Sequence, residues 1–346
     1  DMSGMLNDIG FNLDDELGEA NMAEYHYDDG AVYGFPTKYE NSRWILINED
    51  MFKEAGLDIP YDGWTYSEFL TDAEKLTHGE GQDKVYGVCW ARKQSGKSIL
   101  YALDGVLGAN QIYKNEEGTE VNFDNDVYRA GLNLVKETLD KGYAIPIEDE
   151  FSEDISVANT FLQGKCAIML GVAQMRLCMD QENYPHDFMT ALVPAPVPDD
   201  EKYNTEFYRK QIGTTGAGDL LSISANTKYP EASFEFAMWY LKGGMSPLVQ
   251  GGRIPLWNGV NKDEVLSVLK EKAQGSIDMD SMENYLSLDT TQGVAAIKGH
   301  ASSEISSAWF EEFDAMCYGK QSVDQTVQNM EKRGNELIQT ELSSQK

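Results

Sequence analysis

The chain has 346 residues, 41% of them hydrophobic, which is enough to bury a large core and to form two domains. Its 58 acidic and 28 basic residues give a formal net charge of −30, which opposes binding to nucleic-acid phosphates and to anionic lipid surfaces. No apolar run approaches the roughly 18 residues of a membrane-spanning helix, and no internal repeat indicates a solenoid, so a globular protein is expected.

The first predicted elements are two short strands and a helix. Residues 31–36 are predicted to form a strand that ends at its proline, and residues 44–47 a buried strand rich in β-forming residues, with a polar linker over 37–43. Asn48 is predicted to cap a short helix that ends at Gly56.

The next helix has a clearly marked start. Thr65 and Glu68 have the spacing of a capping box, and Trp64 and Phe69 occupy the two positions of a hydrophobic staple. We therefore expect a helix from residue 66 that buries one apolar face.

The rest of the chain alternates predicted strands and helices. The patterns predict strands at 85–90, 166–170 and 220–223, and helices around 128–139, 157–161, 230–241, 305–316 and 322–337, with a loop-rich region between about 243 and 300. This alternation favours an α/β protein with parallel sheets and helices on both faces. Trp64, Trp239 and Trp309 lie at positions typical of structural core residues.

Four cysteines, Cys89, Cys166, Cys178 and Cys317, show neither a CxxC motif nor metal-ligand spacing. A disulfide framework is not expected, although one bonded pair remains open if the protein is exported.

Several segments occur in the order found in one known family. They are 30–36 (GAVYGFP), 48–57 (NEDMFKEAGL) followed by Trp64 and Thr65, 161–169 (FLQGKCAIM), 188–196 and 216–224. Together they resemble the family 1 extracellular solute-binding proteins of bacterial ABC transporters, which include maltose-binding protein. Members usually carry a longer segment before the Gly-Phe-Pro strand, so the first lobe is expected to be incomplete here.

The resemblance implies a two-lobed α/β fold of the periplasmic-binding-protein type (type II) with a hinge between the lobes. The expected function is capture of a sugar or oligosaccharide outside the cell and its delivery to an ABC importer permease, by a monomeric lipoprotein with no cofactor, no bound metal and no catalytic activity. The expected lobes and crossovers are as follows: 1–38 with 222–298 form the first lobe, 39–221 with 299–346 form the second, and the crossovers lie near 37–43, 213–224 and 290–302.

A sugar presents hydroxyl groups around apolar ring faces, so its site needs aromatic side chains together with carboxylate, amide or guanidinium groups. The resemblance places Glu40 at the position where family members bond ligand hydroxyls, flanked by Tyr39, Asn41 and Arg43. The alternative for Glu40 is a solvated loop carboxylate.

Two tryptophans are candidates for stacking on the sugar. Trp90 ends a predicted strand and lies either in the cleft or in the core, and Trp257 follows Arg253 in a proline-bearing loop where family members often approach the ligand. Gln174 stands where many relatives place a stacking tryptophan, which argues against the usual malto-oligosaccharide preference.

Gly216 and Asp219 belong to a glycine-rich turn at 213–219, which resembles the turn that lets the backbone approach the ligand. The turn lacks the GK[ST] ending of a phosphate-binding loop.

Two other classes of function stay open. A secreted carbohydrate-active enzyme would need a pair of carboxylates, which 58 acidic residues always permit, but the sequence has neither GxSxG nor HExxH. A receptor for a non-sugar solute, or a receptor on the same fold without transport, is the second alternative.

Overall fold

The computed structural model describes residues 1–22, 25–27, 29–39, 44–90, 112–152, 157–171, 174–210, 217–273, 275–287 and 299–344. Its strands are β1 (Gly34–Tyr39), β2 (Trp44–Asn48), β3 (Tyr86–Cys89), β4 (Cys166–Leu170), β5 (Thr190–Pro194), β6 (Ala217–Ser222) and β7 (Ile254–Pro255). Its α-helices are α1 (Ser3–Asp8), α2 (Leu13–Leu17), α3 (Glu19–Met22), α4 (Glu49–Glu54), α5 (Tyr66–Leu76), α6 (Asp126–Asp140), α7 (Ile147–Ser152), α8 (Val157–Leu162), α9 (Met175–Cys178), α10 (Glu206–Arg209), α11 (Pro230–Trp239), α12 (Lys262–Ala273), α13 (Met279–Ser287), α14 (Ser302–Cys317) and α15 (Val323–Ser344).

A four-stranded sheet with strand order β3-β4-β2-β5 lies at the centre of the molecule. Strands β2, β4 and β5 are buried along their whole length, because side chains on both faces pack against other elements. Only the β3–β4 pair is parallel, and β2 pairs antiparallel with both β4 and β5. The prediction of parallel sheets is therefore wrong for most of the pairings.

Alternate residues of the four-stranded sheet enter two different hydrophobic cores. Ile45 and Ile47 pack with helices α5, α6, α14 and α15 in a first core, whereas Trp44 and Leu46 enter a second core on the opposite face. This alternation is the period of two that a strand imposes on its side chains. The second core also contains Phe35 of β1, so it includes residues from both predicted lobes.

A three-stranded sheet with strand order β6-β1-β7 lies on the far side of the second core. Its central strand β1 runs through Pro36 to Tyr39, so the prediction of a strand that ends at Pro36 is wrong. Strand β7 pairs only with Lys38 and Tyr39, so within the described residues β1 has no partner strand on that side at Pro36. A proline is tolerated at such a position.

The edge strand β6 and the neighbouring helix α11 expose apolar side chains. Leu220 of β6 is 50% exposed, and Phe236 and Trp239 on the outer face of α11 are 57% and 59% exposed. The prediction of Trp239 as a core residue is thus wrong, because the buried face of α11 carries Phe234 and Met238 instead.

Helix starts match the sequence predictions closely. Thr65 and Glu68 form both hydrogen bonds of the capping box, and the Trp64 and Phe69 rings meet edge to face at 5.0 Å. Asn48 caps α4 through a hydrogen bond from the Met51 amide.

Two further features differ from the sequence predictions. The region expected to be loop-rich contains α12 and α13, and α13 packs on β5, where Ser281 Oγ accepts a hydrogen bond from the Leu192 amide. Cys89 and Cys166 lie on the neighbouring strands β3 and β4 and form a disulfide, with Cα atoms 6.3 Å apart. One pair is therefore bonded, which is the case that the sequence left open. None of the helices within the described ranges combines the length and apolarity that a membrane span requires.

Candidate functional site

The candidate site lies at one end of the three-stranded sheet. Tyr39, the last residue of β1, pairs with Ala217 of β6 on one side and with Ile254 of β7 on the other. The start of β6, the start of β7 and the end of β1 therefore meet at one edge. Three of the predicted ligand-binding residues, Tyr39, Asp219 and Arg253, lie at or next to this edge. A fourth, Trp257, lines a cavity together with Tyr39.

Asp219 of β6 brings together a charged group of β1 and one from the residue before β7. Its carboxylate forms an ion pair with the Arg253 guanidinium and lies 3.7 Å from the Lys38 ammonium group. Its backbone has φ of 54°, in the left-handed region that Asp tolerates better than most residues, and its carbonyl oxygen accepts a hydrogen bond from the Thr37 hydroxyl. The carboxylate and the guanidinium are both about two-fifths exposed, so each can also bond a polar ligand.

Trp257 follows β7 and is half-buried beside a small cavity. The cavity has a volume of about 50 Å³ and is lined by Tyr39, Trp257, Lys262 and Leu286, among other residues. A space of this size holds a few water molecules and not a sugar ring. A sugar in contact with Trp257 would therefore lie at the mouth of the cavity.

Two contacts fix the orientation of the Trp257 indole. Its Nε1–H donates to the Glu16 carboxylate at 2.7 Å, and its six-membered ring lies so close to Gly259 that a Cβ on that glycine would collide with it. The amide of Asn258 also donates to the Glu16 carbonyl oxygen at 3.0 Å. Helix α2 thus holds the loop that carries Trp257.

Glu16, Lys38 and Tyr285 are neighbours of the site that the sequence analysis missed. Tyr285 of α13 packs against Tyr39 with ring centroids 5.4 Å apart, and Tyr39 itself is buried. Lys38 stands next to a predicted residue and could have been found. Glu16 lies 241 positions before Trp257, and no local pattern indicates such a contact.

Gln174 precedes α9, which contacts the loop before β7. A Cβ on Gly252 would lie 3.1 Å from the Arg176 side chain, so the start of α9 comes close to the Arg253 loop. Gln174 therefore lies at the start of a helix that comes close to the candidate site.

Trp90 lies in the first core and not at the candidate site. It is 4% exposed, its Nε1–H donates to Thr138 Oγ1 at 2.7 Å, and its ring packs on Phe69. The expectation of a cleft residue is corrected to the alternative, a core tryptophan. Glu40, Asn41, Arg43 and Gly216 lie outside the described residues.

The groups at this site suit binding. The Asp219 carboxylate is paired with two cations. The Trp257 indole, next to the cavity that Tyr39 also lines, has its N–H bonded to Glu16. Within the described ranges, no three His, Cys, Asp or Glu side chains are grouped as a metal site would require.

Several solved structures have the same fold as this chain. The chain is similar to a Listeria monocytogenes ABC substrate-binding protein in complex with cycloalternan (16% identity, TM-score 0.70, covering 97% of this chain and 79% of that one). It is also similar to a Rhizobium etli sugar transporter in an open conformation (16% identity, TM-score 0.68, 98% and 79%) and to the GacH receptor of Streptomyces glaucescens (18% identity, TM-score 0.66, 96% and 80%).

These likenesses define an α/β protein with the periplasmic-binding-protein fold, which confirms the predicted fold class. A sequence model of the bacterial extracellular solute-binding proteins matches residues 3–242, more than half of the chain. The chain belongs to this family of extracellular solute-binding proteins, as its motifs predict.

Proposed function

We propose that the protein is a carbohydrate receptor that captures a sugar or oligosaccharide outside the cell and delivers it to the permease of an ABC importer. The observation that carries the proposal is that the end of β1 adjoins two groups of side chains suited to a sugar. Lys38 lies beside the Asp219–Arg253 ion pair, and Tyr39 lines the cavity beside the Trp257 indole. An aromatic face packs on the apolar side of a sugar ring, while the charged groups bond its hydroxyls.

The similar structures support the same class of ligand. The Listeria protein is in complex with cycloalternan, the Streptomyces receptor with acarbose, and an Agrobacterium vitis solute-binding protein with D-mannitol. All three ligands present several hydroxyl groups, which agrees with the polar groups around Asp219.

The proposed mechanism is closure around the ligand. Residues 1–38 and 222–298 would form one lobe and residues 39–221 and 299–346 the other, with the ligand in contact with both. A ligand that binds the closed form better than the open form shifts the population toward closure by that difference in affinity. The permease would recognise the closed form, and the protein would hold its ligand without changing it, at the outer face of the cytoplasmic membrane through a lipid anchor.

A thermal-shift screen followed by calorimetry tests the proposal. The panel would contain linear and cyclic oligosaccharides, monosaccharides, polyols and short peptides. A ligand at about 100 times its Kd stabilises the native state by about 2.7 kcal/mol, so a true ligand raises Tm measurably. Stabilisation by a carbohydrate is the expected result, and stabilisation by a peptide alone would contradict it.

The same screen separates a receptor from a secreted carbohydrate-active enzyme. Each stabilising oligosaccharide would be incubated with the protein and analysed by mass spectrometry. A receptor returns the ligand intact, whereas hydrolysis or transfer products would favour the enzyme.

A further inference from the structure

Helix α2 (Leu13–Leu17) is joined to the loop after β7 by hydrogen bonds that nothing in the family motifs indicates. Glu16 Oε2 accepts from Trp257 Nε1 at 2.7 Å, the Glu16 carbonyl accepts from the Asn258 amide at 3.0 Å, and the Asp15 carbonyl accepts from Asn258 Nδ2 at 3.3 Å. Three bonds therefore hold two consecutive residues of this loop against one helix.

The Trp257 side chain is held on two of its sides. The bond to Glu16 directs the N–H edge of the indole, and the backbone of Gly259 lies against the six-membered ring, where any larger residue would collide with it. A tryptophan side chain has only two rotatable bonds, so these two contacts fix its orientation. A stacking residue that is already oriented loses little entropy when a ligand binds.

We infer that Glu16 is a positioning residue, which orients the Trp257 indole for stacking on the ligand. The inference rests on the proposed function, because it assumes that Trp257 contacts the bound sugar. A carboxylate is suited to this task, since a charged acceptor bonds an N–H group more strongly than a neutral one. A carboxylate has a second oxygen that can accept a hydrogen bond from a ligand hydroxyl next to the indole.

Indole N–H resonances test the positioning directly. Protein labelled with ¹⁵N-tryptophan gives one indole signal for each of its six tryptophans, and Trp257→Phe identifies the signal of Trp257 by its loss. In Glu16→Ala this signal alone should shift, whereas in Glu16→Gln, whose amide oxygen still accepts, it should stay closer to its original place. Glu19→Ala, at an exposed position nearby, is the matched control.

Binding measurements test the consequence for the ligand found in the screen. Glu16→Ala should raise Kd about tenfold and Glu16→Gln by no more than about threefold, as expected if the amide retains part of the bond. In the Trp257→Phe background, Glu16→Ala should add little further loss, because Glu16 acts through the indole N–H.

The outcomes separate the two proposals. If no carbohydrate binds the wild-type protein, the proposed function fails, while the indole signal still reports whether Glu16 orients Trp257. If Glu16→Ala leaves the indole signal unmoved, or if its loss of affinity is as large in Trp257→Phe as in the wild type, Glu16 is not a positioning residue.

Discussion

The two sheets of the protein differ in how they are covered. Strands β2, β4 and β5 of the four-stranded sheet are buried on both faces, whereas strand β6 of the three-stranded sheet has no buried residue and three exposed ones. Buried apolar area is the main source of folding free energy, so the four-stranded sheet and its helices should carry most of the stability. The three-stranded sheet carries Asp219, Arg253 and Trp257 at its edge and should carry the binding.

Strand β6 of the three-stranded sheet and the neighbouring helix α11 also expose large apolar side chains. Leu220 of β6 is half-exposed, and the exposed rings of Phe236 and Trp239 on α11 lie 5.7 Å apart. Exposed apolar patches of this kind mark surfaces that associate with other apolar groups. The stability of the fold should depend little on them.

The largest expected effect comes from a core tryptophan beside the four-stranded sheet. Trp309 is 2% exposed and stacks on Phe313 at 4.8 Å, so Trp309→Ala should lower the free energy of unfolding by about 3 to 5 kcal/mol. Trp239→Ala, on the exposed face of α11, is the matched control and should change it by less than about 0.5 kcal/mol. Urea denaturation measures both. Equal losses of unfolding free energy in the two variants would contradict the expectation that the four-stranded sheet and its helices carry most of the stability.

The next effect concerns affinity and not stability. Trp257→Ala should raise the Kd for the sugar about tenfold or more, equivalent to about 1.4 kcal/mol for each factor of ten, because it removes the stacking surface. Tm should fall less than in Trp309→Ala, since Trp257 is only half-buried. Calorimetry and thermal unfolding measure the two quantities. A variant that unfolds like Trp309→Ala but binds normally would reverse the assignment.

Local patterns in the sequence predicted the helix starts and the buried strands β2 and β4, but not the buried strand β5. The capping box at Thr65 and the apolar run of β4 depend on residues that are neighbours in the chain, and both are present in the structure. The direction of strand pairing was not predictable in this way. It depends on which strand lies next in space, and β2 lies between β4 and β5, far from both in sequence.

The candidate site was predictable only where family motifs mark it. Asp219 and Arg253 were chosen one by one, and their ion pair joins strands separated by α11 and the loop after it. The contact of Glu16 with Trp257 spans 241 positions, so no local sequence pattern indicates it. Trp90 shows a second difficulty. A tryptophan at the end of a strand can lie in a cleft or in a core, and only its contact with Thr138 in the structure decides between them.

A smaller effect tests the region that carries the stability. Thr65→Ala removes the side-chain acceptor of the Glu68 amide at the start of α5, which packs against the four-stranded sheet, and should cost about 1 kcal/mol. Ser67→Ala, an exposed position in the same helical turn, is the control. Chemical denaturation distinguishes the two variants, and equal stabilities would mean that the cap contributes nothing.

The smallest effect is a pH dependence in the same helix. Burial raises the pKa of Asp72 to about 6, with a smaller opposing influence from Lys75. The folded state therefore binds more protons than the unfolded state between about pH 4 and 6, so stability should fall as pH rises through this window. Asp72→Asn mimics the neutral form, so it should raise the free energy of unfolding at pH 7 but not at pH 4. The gain should be less than about 1 kcal/mol, because the half-exposed carboxylate is screened by water. Ser67→Ala, at an exposed position of the same helix that carries no titratable group, should show no such difference between the two pH values. An equal gain for Asp72→Asn at both pH values would assign the effect to packing and not to charge.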